Sequence, residues 1–107
     1  ANVAFLVEAV NAFVRNAVGT SDKKCPYGYD SWLDFWEKRS NRSATYCRCC
    51  GKPYVNLVGG HVQIVTVGID GKWHPSPQLY IVPICQDCNV SGSQPFHVDA
   101  NDLVKAE

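Results

Sequence analysis

The chain has 107 residues, of which 46% are hydrophobic and 19% charged, and its formal net charge is zero. That length sets a single domain as the expectation, and the composition is that of a folded globule rather than a disordered or collagen-like chain. A balanced charge argues against strong nonspecific nucleic-acid binding, which draws on excess cations, and no apolar run approaches the roughly 20 residues that span a bilayer.

In chain order, Leu6, Val10, Phe13 and Ala17 recur at helical spacing, with Phe5 and Ala9 widening the stripe. This predicts a first helix over residues 3–18, capped by Asn2 and stopped at Gly19. A loop through Lys23, Lys24, Cys25 and Pro26 follows. A second helix is expected over 31–42, opened by the capping-box variant Ser31-x-x-Asp34. Trp32, Leu33 and Trp36 share its apolar side and are expected to be mostly buried. Lys38, Arg39 and Arg42 load its last turn with the charge that the helix dipole prefers.

After Tyr46 the pattern turns to short strands. Tyr54–Val58 and Val62–Val67 are strand-like runs separated by Gly59-Gly60-His61. Asp70-Gly71 is a hairpin signal, and Trp73–Pro77 reads as an irregular loop. Leu79–Ile84 reads as a buried strand. Pro83 within it lacks an amide hydrogen and belongs at a sheet edge or strand end. A short helical turn over 89–93 and a strand over 96–98 complete the pattern, giving an α+β expectation.

The chain holds six cysteines, and four of them form two pairs, Cys47-x-x-Cys50 and Cys85-x-x-Cys88, with 34 residues between the pairs. Two such hooks supply the four thiolates of a tetrahedral structural Zn²⁺. Cys49 competes within the CRCC run, but the i, i+3 bite favours Cys47 with Cys50. Cys49 then points away, and Cys25 stands alone. Arg48 and Lys52 flank the hook and offset its negative charge. A closed four-cysteine site has no open position for substrate, so the pattern argues for a metal and not for a reaction. The alternative use of six cysteines is a secreted, disulfide-bonded protein.

The segment YCRCCG…LVGGHVQIV…YIVPICQDCN, within residues 45–92, resembles a treble-clef zinc finger of the HNH-endonuclease family. The resemblance implies that Cys47, Cys50, Cys85 and Cys88 are structural zinc ligands and that His61 matches the general base. Gly60 stands where that family usually carries the metal-binding Asp, and no other residue clearly supplies the last metal ligand.

These readings combine into one expectation: N-terminal helices packed on a small zinc-bound treble-clef β-hairpin core. Its parts are a helical part over 1–43, a zinc-binding part over 44–99 and a tail over 100–107. The expected function is a zinc-stabilised, non-catalytic binding module holding one Zn²⁺ and acting through a protein partner, inside a cell or delivered into one as a pathogen effector. Nucleic acid is the less favoured partner, although residues 23–52 carry a net +4 against −3 over 53–107. The runner-up is a divergent metal-dependent nuclease with His61 as base. The chain starts at Ala1 without a Met, which suggests that an upstream segment was removed or omitted.

Overall fold

The computed structural model describes residues 10–20, 22–53, 55–90 and 94–106. The expected α+β arrangement of N-terminal helices packed on a small β-hairpin core does not form, and the described residues build a largely antiparallel sheet with one helix longer than a turn or two. Its strands are β1 (Asn11–Asn16), β2 (Leu57–Val67), β3 (Trp73–Pro75), β4 (Tyr80–Cys85), β5 (Phe96–Asp99) and β6 (Val104–Lys105). The strands run in the order β5-β1-β2-β4-β6, with β3 paired to the far end of β2. The described helices are α1 (Trp32–Ser40), the five-residue α2 (Gln86–Val90) and a 3-10 turn over Ala100–Asp102.

The first predicted helix lies partly in residues 1–9, outside the described residues, and its remainder forms β1 instead. Here β1 is an interior strand, pairing Val14 with Ile64 of β2 and with Phe96 of β5. Ala12 and Arg15 favour a helix while Asn11, Phe13, Val14 and Asn16 do not, and ladder bonds on both sides outweigh the helical spacing. Val14 is fully buried.

The second helix forms, and Ser31 caps it: its Oγ accepts from the Asp34 N–H at 3.0 Å. Asn41 ends the helix in the left-handed region, with φ of 57°. The buried pair on this helix is Phe35 with Trp36, whereas Trp32 and Leu33 are only half-buried.

The two expected runs on either side of Gly59-Gly60 merge into the single strand β2 as far as Leu57 and Val58 are concerned, while Tyr54 lies outside the described residues. A Cβ at Gly59 would lie 2.5 Å from the Trp32 carbonyl carbon, so glycine lets the start of α1 rest directly on the strand. The hairpin at Asp70-Gly71 forms, and the supposed loop after it supplies β3, with Trp73 paired to Val67. Pro83 lies opposite Gly59, and its carbonyl accepts from Arg48 N–H on the side away from β2. Its missing amide hydrogen therefore faces the stretch beyond β6, where no strand needs it.

Successive residues of a strand point to opposite faces, so the sheet has two packed sides. One carries Val14, Val62, Val82, Ile84 and Val98 with Cys47 and Cys85. The other places Phe35 and Trp36 of α1 on Ile81. The chain end belongs to this second layer. Asp102 is buried, its carbonyl accepts the Trp36 indole N–H at 2.8 Å, and its carboxylate meets Arg42 at 2.7 Å and Arg48 at 2.9 Å.

Candidate metal centre

Cys47 opens a tight turn. Its N–H donates to the Lys52 carbonyl at 3.0 Å, and the Gly51 N–H returns to the Cys47 carbonyl at 2.8 Å. Gly51 has φ of 81°, a region that a side chain disfavours. Arg48 N–H to Pro83 O, at 2.9 Å, docks this turn on the edge of β4. Cys85 is the last residue of β4, and Cys88 follows within α2. The Cys88 carbonyl accepts from Asn16 Nδ2 at 2.9 Å, which ties the second hook to the end of β1.

The turn and the strand end bring Cys47, Cys50, Cys85 and Cys88 together, with their Sγ atoms all within 4.8 Å of one another. The Sγ atoms of Cys50 and Cys85 are 3.8 Å apart. A tetrahedron with Zn–S of about 2.3 Å has edges of roughly 3.8 Å, so the donor set fits such an ion. Three backbone N–H groups converge on Cys47 Sγ, from Cys49 at 3.3 Å, Cys50 at 3.4 Å and Cys85 at 3.2 Å. Burial raises the Cys47 pKa, but the N–H donors of Cys50, Cys85 and Cys49 overcome it and bring the thiol to about 6. Burial, joined by the neighbouring thiols, raises Cys88 well above its ordinary value. One thiolate is therefore prepared by the fold, while the last must surrender its proton to a bound cation.

None of the six cysteines forms a disulfide in this structure. Cys49 is not one of the four mutually close sulfurs, but its half-buried thiol is in hydrogen-bonding contact with Cys88, and burial chiefly raises its pKa. Cys25 lies apart, its thiol donating to the Tyr29 carbonyl at 3.3 Å. Arg48 stacks 3.8 Å from the Tyr46 ring centre and is committed to Asp102 rather than to the sulfurs. The sequence offered little sign of Asp102, because a lone Asp near the chain end reads as solvated surface.

His61 lies on β2, opposite Ile81, and packs edge-on against Trp32 with ring centres 4.6 Å apart. It is 8% exposed, and its Nε2 is buried without a hydrogen-bond partner. Burial first, then the Lys23 charge, lowers its pKa. Two cavities meet at His61, and no described residue on either wall is an Asp or Glu. No helix among the described residues is long and apolar enough to cross a membrane.

No family model, curated protein or solved structure matches this chain.

Proposed function

We propose that the protein is a zinc-stabilised binding module, with Cys47, Cys50, Cys85 and Cys88 holding one structural Zn²⁺. The convergence of four thiol sulfurs within 4.8 Å carries this reading. Such a centre joins the turn at residues 47–52 to the β4–α2 corner, and its binding energy is folding energy. A site closed by four sulfurs leaves no open coordination position, so its work is architectural.

The function that rests on this architecture is recognition of a protein partner. Support comes from an aromatic group on the sheet. Phe13 stacks on His97 with centres 4.4 Å apart and meets Trp73 edge-on at 4.7 Å, and both Trp73 and His97 are exposed. Aromatic side chains with an open edge are characteristic of binding surfaces. The nuclease reading gains nothing from the surroundings of His61, whose neighbours are an indole and a lysine rather than carboxylates.

The test is native mass spectrometry of protein purified without chelator, paired with thermal melting before and after a strong chelator. About one zinc per chain and a large drop in melting temperature are expected. A metal-free protein that melts unchanged would overturn the proposal.

A further inference from the structure

A buried imidazole nitrogen without a partner is uncommon in a folded protein and calls for a physical reason. Among the described residues, His61 Nε2 is such an atom. Its surroundings are a built cleft. One cavity of about 370 Å³ is lined by Lys23, Lys24, Trp32, His61 and Leu79 among others. A second of about 250 Å³ lies where β1 stops and the edge of β2 is open, and Thr20, Lys23, Trp32, His61 and Asn89 contribute to its wall. Lys23, Trp32 and His61 are common to both.

The parts are held in place independently of any ligand. The Trp32 indole N–H donates to the Lys23 carbonyl at 3.0 Å, and Lys23 N–H donates to the Thr20 carbonyl at 3.0 Å. Trp32 thus fixes the Lys23 backbone while its ring edge fixes the imidazole. His61 O accepts from Ala17 N–H at 2.9 Å, so the strand at this point is also anchored.

We propose that the paired cavities beside the Trp32–His61 contact bind a small oxyanion, a phosphate or a carboxylate, between the Lys23 ammonium and the Nε2–H of His61. The charge of the walls selects an anion. The walls carry Lys23 and Lys24 and no described carboxylate, so a cation would meet uncompensated repulsion. A neutral imidazole has one N–H donor to give, and an oxyanion offers it a charge-assisted bond. Nε2 is closed to water, so binding requires the cleft to open at His61, and the exposed Lys23 lines both cavities there. None of the four cysteines lines either cavity, and anion binding and metal content are read by separate measurements, so failure of one proposal is distinguishable from failure of the other.

The experiment titrates the protein, as isolated, with inorganic phosphate and separately with acetate, against chloride at matched ionic strength. Amide, indole and imidazole signals are followed by NMR. Saturable shifts are expected at Lys23, the Trp32 indole and the His61 ring, with millimolar affinity or better, which corresponds to roughly 4 kcal/mol. Tighter phosphate binding assigns a phosphate-bearing ligand, and tighter acetate binding assigns a carboxylate. Lys23→Met changes an exposed residue and should weaken binding about tenfold, the loss expected for one charged partner. His61→Leu should do the same, whereas His61→Gln, which keeps an N–H donor, should stay within about threefold. The amide dispersion of each variant reports that it is folded, and if His61→Leu is not, Lys23→Met decides. Shifts that do not saturate, that lie elsewhere, or that are unchanged in Lys23→Met would overturn the proposal.

Discussion

At the scale of single residues, the two neighbouring thiols Cys47 and Cys49 have opposite roles. Cys47 is fully buried and accepts three N–H groups, while Cys49 contributes one of those N–H groups and its own sulfur touches Cys88 without being among the four that converge. Cys49→Ser should therefore leave metal content near one per chain, and Cys47→Ser should lose most of it, as read by a chromogenic chelator. Equal loss in both variants would show that the sulfurs are assigned wrongly. His61 gives a second residue-level expectation. Its pKa is held below the ordinary 6.5 by burial first and by Lys23 second. The fold then binds fewer protons at this group than the unfolded chain does, so stability rises with pH in this window. The contribution is complete above about 6.5 and is lost as pH falls through the lower folded value. Denaturant midpoints measured from about pH 7.5 down to about pH 5 should fall more steeply for the parent than for His61→Leu, since only the parent carries this linkage. Parallel profiles would contradict the burial of a neutral imidazole.

At the scale of elements, α1 is held from three directions. Its start rests on Gly59, its apolar side places Phe35 and Trp36 on Ile81, and its indole donor is taken by the chain end. Trp36→Ala removes a fully buried ring and should cost about 3–5 kcal/mol in chemical denaturation. Asp102→Ala should cost a similar amount, about 3–5 kcal/mol, because Arg48, with a side chain only 6% exposed, would lose its partner. A cost near zero for Asp102→Ala would mean that the chain end is not part of the core. The element scale also shows how far the sequence could be read. The cap at Ser31, the turn at Asp70-Gly71, the strand into Cys85 and the edge placement of Pro83 are all local chemistry, and each is legible from a few adjacent residues. The β1 strand is not, because Phe13 and Val14 fit a helical stripe equally well. Only distant partners, Ile64 and Phe96, decide between the two. Asp102 was hidden for the same reason, its partners lying 54 and 60 residues away.

At the scale of the whole molecule, the sheet separates two layers with different cohesion. The layer on α1 is closed by aromatic packing and the Asp102 ion pairs, whereas the layer beneath β2 and β4 ends at the four sulfurs. The spacing of the hooks was enough to nominate those sulfurs. The clefts beside His61 were not legible, because Lys23 and Trp32 come from a loop and a helix far from β2 in sequence. The central claim, that the four thiols form a tetrahedral zinc centre, is tested most directly by X-ray absorption at the zinc edge. A single shell of about four sulfurs at ~2.3 Å is expected. A shell containing nitrogen or oxygen, or a protein that carries no zinc, would contradict it.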